Sequence, residues 1–448
     1  MDWCNLRNKN IFSLRWVLVA TILLSFLIPL IYSFIHRIRP VVDTRAYDQI
    51  AINLADGFGY RENRNNSYES DTAIVRAGPA YEFFLAGIYK IFGYHHEAVW
   101  VIQALLHALT AWLLFLIARK IFENEKAGLL AAMLFGLHPD LIEISAMLMT
   151  ETLYLFFITL VIFVFVRIYN SKNRSVNQSA LLGAIAGLAV LTRPTVILFL
   201  LPILFFYVFK KEIRNGSVFL FAFIAILTPW SIRNYLVYHQ FILTTLTGSF
   251  NLWIGNTLVA RGGQIAGGFN PFDEYVRLQG FNGIKERATQ EFLFFALNYP
   301  LVFIKLFFLR IIRFFSLIRP MGFWFYQSGI KQLVFVLSSL GWGAVFFISG
   351  YSGLFALSRE RKVLFNYFIV FALLAPLPLL LTVVQSRYRF QIYPFLAIFG
   401  GYFLSRLLDD RKTVKKYLQI VAIVLLVVSL FDAAYFLPLI KERLSLFL

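Results

Sequence analysis

Asp43 stands a few residues beyond the first long apolar run, in the string Val42-Asp43-Thr44-Arg45-Ala46-Tyr47. A carboxylate held there suits a general base acting on an acceptor hydroxyl or amine. The same residue also suits the N-cap of a helical pattern that starts near Arg45, and a nearby cation such as Arg45 would keep it charged. Glu151 follows Thr150 at the head of a later apolar run. It reads as a capping charge or, pointing into a bundle, as an expensive group kept for function. Asp140 and Glu143, in the turn just before it, read as ordinary loop charges.

Arginine is the more informative type. Arg76 precedes Gly78-Pro79, Arg193-Pro194 divides two apolar runs, Arg233-Asn234 follows Pro229-Trp230, and Arg387-Tyr388-Arg389 lies between two late runs. Each presents a rigid fork of donors that matches phosphate or carboxylate. Snorkelling to lipid phosphates accounts for any one of them and accounts less well for all together. Asn251, Trp253 and Asn256 add hydrogen bonds and an aromatic platform of the kind a sugar site needs, in a segment rich in glycine (Gly248, Gly255, Gly262, Gly263, Gly267, Gly268).

Several chemistries lack their signature. No GxxxxGK[ST] string supports nucleotide-triphosphate binding, and no local Ser/His/Asp pattern appears. His95, His96 and His138 are too scattered for a zinc site, and the single cysteine, Cys4, excludes an intrachain disulfide or a CxxC site. The metal requirement stays open at this point, with no cofactor indicated and a divalent cation possible.

These groups must be positioned by membrane helices. The chain has 448 residues, 59% of them hydrophobic, and a mean hydropathy of +0.70. Apolar runs of eighteen or more residues recur from end to end, and each can cross a hydrocarbon core of roughly 30 Å as a helix. They lack the two-residue alternation of barrel strands, so the expected class is an all-α integral membrane protein. Spans are predicted near 14–35, 97–118, 127–146, 150–169, 178–193, 194–210, 216–238, 331–353, 363–383, 390–407 and 417–438. The first reads as a retained span, being too long for a signal-peptide core and lacking a small-residue cleavage site.

The net charge of +18 lies largely between apolar runs, where positive-inside bias explains it without nucleic acid. Arg7, Lys9 and Arg15 put the N-terminus on the cytoplasmic side. Residue 239 then falls outside, as do Arg76, Arg193, Arg233 and Arg387. The clusters Arg359/Arg361/Lys362 and Arg411/Lys412/Lys415/Lys416 fall inside only if 300–318 crosses zero times, or twice with help from 319–330. The stretch 300–318 therefore reads as an interfacial amphipathic helix, giving eleven spans, or thirteen if it crosses twice. Two polar loops, 36–96 and 239–299, lie outside and exceed what a helix connection needs. Patterns at Tyr47 to Ala55 and Tyr81 to Phe92 suggest interfacial helices in the first.

The ordered set of these residues resembles a known family. It runs Asp43 with Tyr47, Arg76-Ala77-Gly78-Pro79-Ala80-Tyr81-Glu82, Thr150-Glu151, Leu191-Thr192-Arg193-Pro194, Thr228-Pro229-Trp230-Ser231-Ile232-Arg233-Asn234-Tyr235, Asn251 to Asn256 and Arg387-Tyr388-Arg389. This looks like the GT-C glycosyltransferases, the bacterial group related to protein O-mannosyltransferases and the lipid A aminoarabinose transferase, over residues 14 to about 410. The resemblance implies a GT-C bundle of about eleven to thirteen spans, with residues 1–410 as the catalytic module and 411–448 as a C-terminal membrane helix. It implies a polyprenyl-phosphate-linked sugar donor and a lipid, glycan or protein acceptor, with inverting transfer on the extracytoplasmic face of a bacterial inner membrane. Asp43 matches the family's catalytic aspartate and Glu151 its second acidic position. Arg76, Arg193, Arg233, Arg387 and Arg389 match groups that hold the lipid phosphate, and Tyr47, Tyr81, Asn234, Asn251 and Asn256 would contact sugar or acceptor. The chain departs from the family at two places. Arg76-Ala77-Gly78-Pro79-Ala80-Tyr81 stands where Arg-x-Pro-Pro-Gly-Tyr-Pro is frequent, and Thr44 replaces the acid that often follows the aspartate. A transporter or flippase of lipid-linked glycans is the alternative reading, since it would use the same arginines and need no base.

Overall fold

The apolar runs become helices in the computed structural model, which describes residues 3–76, 78–263, 270–318, 329–360, 362–409 and 411–444. In hydrocarbon each backbone must satisfy its own hydrogen bonds, and among the described residues there is no strand. In chain order the first helices are α1 (Trp3–His36), α2 (Asp43–Ala55), α3 (Pro79–Phe92), α4 (His96–Phe122), α5 (Glu125–Gly136), α6 (Pro139–Ser145), α7 (Thr150–Asn170), α8 (Val176–Thr192), α9 (Leu200–Phe209) and α10 (Ile213–Tyr238). There follow α11 (Thr247–Gly255), α12 (Pro271–Gln279), α13 (Ile284–Asn298), α14 (Pro300–Phe315), α15 (Gly329–Leu357), α16 (Val363–Leu374), α17 (Leu377–Leu381), α18 (Tyr393–Asp409) and α19 (Arg411–Leu444).

Each expected span falls on a helix or a helix pair, so the chain is a multi-pass membrane protein. Among the described residues seven helical stretches are long and apolar enough to cross alone, or nine if each of two bent pairs counts as one. The seven and the pair α5 with α6 account for eight of the expected eleven, and the shorter apolar helices Val176–Thr192 and Pro194–Phe209 with α18 of 17 residues account for the other three. Proline sets the breaks. Pro139 starts α6 at 57° to α5, and Pro300 starts α14 at 106° to α13, because proline lacks the N–H that would continue the preceding helix. The stretch 300–318 thus belongs to a sharply turned pair. Residues 319–328, invoked for a second crossing, lie outside the described residues.

Glycines let the helices close. A Cβ on Gly183 of α8 would meet Phe219 O of α10 at 2.1 Å, and one on Gly353 of α15 would meet Phe399 O of α18 at 2.1 Å. Such small-residue contacts supply packing where lipid is as apolar as the side chains. The outward residues stay apolar, as with Leu23, Phe221 and Val427, which are 53%, 74% and 59% exposed.

The two long loops are folded against each other. In the first, the Asp71 carboxylate accepts the N–H groups of Glu62, Asn63 and Ala73 at 2.7, 2.9 and 2.9 Å. In the second, Leu246 N–H donates to Ile74 O at 2.9 Å and Thr247 Oγ1 to Val75 O at 2.6 Å. The start of α3 is pressed onto the end of α8: a Cβ on Gly78 would lie 2.2 Å from Leu191 O and 2.8 Å from Thr192 O. Only glycine permits that approach, which joins the segment after Arg76 to the one before Arg193. Gly78→Ala should therefore destabilise the chain by about 1–3 kcal/mol, the usual cost of overpacking. Thermal unfolding in detergent measures this, and an unchanged melting temperature would contradict the contact.

Candidate active site

Where the loops meet the bundle, a cavity of about 800 Å³ opens. Asp43, Tyr47 and Arg76 line it from the first loop, Asn251, Phe272, Asp273 and Arg277 from the second, and Arg193, Thr195, Thr382, Arg387 and Tyr388 from the bundle. Each bundle arginine sits where a helix has stopped. Arg193 follows α8 ahead of Pro194, which cannot continue that helix, and Arg387 lies in the 3-10 turn Ser386–Ile392 between α17 and α18.

Asp43 is the first residue of α2, and its side chain is 30% exposed. Its carboxylate pairs with Arg387 Nη2 on one oxygen and lies 3.5 Å from Arg76 Nη1 on the other. Two further acids extend the cluster. Glu151 accepts Arg193 Nη2 at 2.7 Å and lies 4.0 Å from Arg387 Nε; Glu62 accepts Arg76 Nη2 at 2.6 Å and the Thr72 hydroxyl at 3.0 Å. Arg193 also stacks over Tyr154 and Tyr388 at 5.2 and 5.1 Å. At such distances each pair is worth roughly 4 kcal/mol of Coulomb attraction before desolvation.

These partners decide the state of Asp43. Burial raises its carboxyl pKa, but the Arg387 charge and hydrogen bond, then Arg76 and Arg193, outweigh it and hold the group below its usual range. Arg45 plays no part in this: it is exposed, and the cations that keep Asp43 ionised come from distant segments. The residue does not serve as the helix N-cap, a position taken by Val42.

Several expected site residues sit elsewhere. Glu151 is fully buried behind Arg193 rather than on the cavity wall. Arg233 is a cage residue, with Trp230, Tyr238, Tyr60 and Tyr68 rings 5.1, 5.4, 5.7 and 5.9 Å from its guanidinium and Tyr60 O at 3.3 Å. Arg389 is buried and donates to Ser316 O at 2.5 Å. Tyr81 is buried and donates to Gln103 Oε1 at 2.8 Å. Asn234 donates to Ile242 O and Thr244 O, both at 3.1 Å, beside Trp230 Nε1, which donates to Thr244 O at 2.6 Å. The Thr228–Tyr235 motif thus anchors the start of the second loop. Asn256 donates to Leu252 O and Leu381 O at 2.8 and 2.9 Å. Trp253, the expected platform, is buried against Phe272 and Tyr275. Asn251 remains in the cavity wall, its amide oxygen buried and without a hydrogen-bond partner. Asp140 and Glu143 are not loop charges but buried groups, Asp140 accepting the Ser339 hydroxyl.

Other contributors carry no recognisable sequence signal. Glu62 reads as one loop charge among many until the fold brings it to Arg76. Arg310 is fully buried and donates to Gly255 O at 2.5 Å, Leu380 O at 3.1 Å and Asn256 Oδ1 at 3.0 Å. It ties the C-terminal carbonyls of α11 and α17 together, a favourable place for a cation. Glu82 is buried, with the Tyr60 hydroxyl 3.3 Å from Oε1 and no hydrogen-bond partner for Oε2. Asp43, Glu62 and Glu151 are each paired with arginine, and among the described residues no three of His, Cys, Asp and Glu converge.

The chain resembles proteins of known family and structure. The family model for dolichyl-phosphate-mannose-protein mannosyltransferases matches residues 76–232. Among solved structures, the archaeal oligosaccharyltransferase AglB from Archaeoglobus fulgidus, in complex with an inhibitory peptide and a dolichol-phosphate, aligns with a TM-score of 0.56 at 15% identity, covering 94% of this chain and 55% of that one. ArnT from Cupriavidus metallidurans, bound to undecaprenyl phosphate, aligns with a TM-score of 0.52 at 16% identity, covering 91% of this chain and 62% of that one. This chain therefore spans little more than half the length of these proteins. No curated protein sequence matches it significantly. The fold is that of the GT-C glycosyltransferases, as the sequence resemblance implies.

Two outcomes follow from the buried charges. Glu151→Gln should destabilise the chain by about 3 kcal/mol, because it strands Arg193, while Glu151→Gln with Arg193→Met should recover most of the loss. Equal losses in the single and double variants would deny the coupling. Burial pushes the Glu82 carboxyl up from 4.5 to about 8, so between those values the folded chain keeps a proton that the unfolded chain has released. Stability should then fall as pH rises from about 4.5 to 8, and Glu82→Gln should flatten that fall in thermal unfolding.

Proposed function

We propose that the chain is a glycosyltransferase that moves a sugar from a polyprenyl-phosphate donor to an extracytoplasmic lipid, glycan or protein acceptor. The observation that carries this reading is the meeting of Asp43 with Arg76, Arg193 and Arg387 at one cavity between the two long loops and the bundle. The bound dolichol-phosphate and undecaprenyl phosphate of the structural neighbours support the donor class.

The acceptor oxygen attacks the anomeric carbon with its lone pair, and its proton passes to the Asp43 carboxylate. The bond from that carbon to the phosphate oxygen breaks, and its electron pair leaves with polyprenyl phosphate. Fixed guanidiniums stabilise the departing anion without needing to protonate it. One displacement inverts the anomeric centre. Glu151 acts on Arg193 and Arg387 rather than on substrate, holding their charge at the cavity wall. Apolar surface between helices suits the polyprenyl tail, worth roughly 0.8 kcal/mol per buried CH₂. Asn251 and Phe272 line the cavity from the second loop, where they can meet sugar and acceptor. The positive-inside pattern supports a bacterial inner membrane protein with a cytoplasmic N-terminus and an extracytoplasmic cavity.

Asp43→Asn should lower sugar transfer from a polyprenyl-phosphate sugar by about 10²–10⁴-fold, measured with purified protein whose unfolding temperature is followed in parallel. Full activity in a folded Asp43→Asn protein would remove the base from the mechanism. Movement of the lipid-linked sugar across a bilayer without transfer would favour the flippase reading instead.

A further inference from the structure

Each of the three guanidiniums around Asp43 already holds a carboxylate, while Arg277, which lines the cavity from the second loop, is paired with Glu274 in an exposed i,i+3 contact. Arg76 holds Glu62 at 2.6 Å and Asp43 at 3.5 Å, Arg193 holds Glu151 at 2.7 Å, and Arg387 holds Asp43 with Glu151 at 4.0 Å. An arriving phosphate therefore meets forks that are occupied, and some carboxylate must yield.

The three acids differ in how readily they yield. Glu151 is fully buried on α7, accepting Arg193 Nη2 on Oε1 and the Thr150 hydroxyl on Oε2 at 3.1 Å. Unpairing it would leave a charge in a dry site, which is the most destabilising change an ion pair can suffer. Glu62 receives both Nε and Nη2 of Arg76, at 3.2 and 2.6 Å, plus the Thr72 hydroxyl. Asp43 is 30% exposed at the cavity wall, one oxygen on Arg387 and the other, at 3.5 Å, on Arg76. It is the acid that water in the cavity can re-solvate.

We infer that the donor phosphate displaces Asp43 from Arg387 and Arg76, so that the carboxylate is released to accept a proton only when the site is loaded. This rests on the proposed donor class and on Asp43 as the base. A carboxylate gripped by two guanidiniums has its lone pairs engaged and takes a proton poorly. The donor's phosphodiester offers two unesterified oxygens to the same forks, which accept phosphate as readily as carboxylate, and the departing monoester offers three. The exchange makes and breaks no covalent bond. It moves two arginines from one anion to another and turns Asp43 toward the acceptor. Burial, which by itself raises the Asp43 carboxyl, is then opposed by less positive charge, and proton affinity rises where the reaction uses it. The unloaded site holds no free base.

The experiment measures binding of undecaprenyl phosphate, carrying no sugar, to the full chain in nanodiscs, so no turnover is involved. Asp43→Asn should bind it about tenfold more tightly than the wild type, because Arg387 loses its nearest anion and Arg76 the weaker of its two. Asp273→Asn is the control: Asp273 lines the same cavity, is bonded to Asn270 at 2.7 Å and meets Arg76 only through its field, not in an ion pair, and its variant should bind within about twofold of the wild type. Unchanged or weaker binding in Asp43→Asn overturns the exchange, as does equal tightening in Asp273→Asn, which would signal only a change of field. In the wild type, adding undecaprenyl phosphate should shift a carboxylate band in the infrared difference spectrum that is absent from Asp43→Asn; no such band in the wild type also overturns it. Loss of transfer with unchanged binding in Asp43→Asn leaves the base role standing without the exchange, whereas retained transfer removes the base role itself.

Discussion

The ion pair between Asp43 and Arg387 joins residues 344 apart in sequence, and the rest of the cavity depends on it. Asp43 begins α2 in the first loop, while Arg387 sits in the turn that leads into α18. Neither segment positions the other locally, so the pair forms only when the bundle has closed. Arg387 is 10% exposed on its side chain, and a cation so placed needs anions on more than one side. Asp43 supplies one and Glu151 of α7 the other. The loop is thus tied to the bundle by the same guanidinium that faces a phosphate in the proposed reaction, and the charge that would bind substrate also holds the cavity open.

Backbone constraints set the remaining geometry. Gly78 lets the first loop touch the end of α8, so that Arg76 and Arg193 line one cavity. Glu62 and Glu151 pair with them there. Arg310 performs the matching task on the other side. Its fork gathers the ends of α11 and α17, and Gly255 is the place where only a missing Cβ allows the loop to meet Thr382 O, 2.3 Å from that position. A buried guanidinium bonded to carbonyls at helix C-termini uses the partial negative charge that those termini carry. The second loop is therefore pinned at its start by Trp230 and Asn234 and again at Gly255 and Asn256 by Arg310.

What the sequence disclosed follows from which partner each residue has. Long apolar runs are legible because bilayer thickness dictates their length, and the breaks at Pro139 and Pro300 are legible in principle because proline cannot donate. Arg76, Arg193 and Arg387 were visible as cations on the side where positive-inside bias predicts few, and they do line the cavity. Arg233 and Arg389 gave the same signal and do not line it. Their partners are aromatic faces and backbone carbonyls, and neither leaves a trace in residue type at a readable spacing. Asn234, Asn256 and Tyr81 fail for the same reason, since an amide or phenol that ties backbone or a buried glutamine looks, in sequence, like one that binds a sugar. Glu62 shows the reverse case. It touches Arg76 only because Asp71 gathers the backbone of residues 62, 63 and 73 around one carboxylate, a local fold with no motif to announce it.

The division of the cavity between bundle and loops bears on how such a site can vary. Arg193, Glu151 and Arg387 sit at the ends of packed membrane helices, where displacing one side chain disturbs several others. Asn251, Phe272, Asp273 and Arg277 come from α11, α12 and the loop around them, which tolerate change far better. On the proposed reading, the phosphate end is therefore the stiff part and the acceptor end the adaptable one. A lipid phosphate is the same group whatever sugar it carries, so one rigid set of guanidiniums serves many donors. The acceptor differs in shape and polarity from case to case, and its recognition falls to side chains that can change without unpairing a buried charge. Asp43 stands between the two regions, on a loop helix but held by a bundle arginine, which is where a base must be if it is to meet a variable acceptor beside an invariant leaving group.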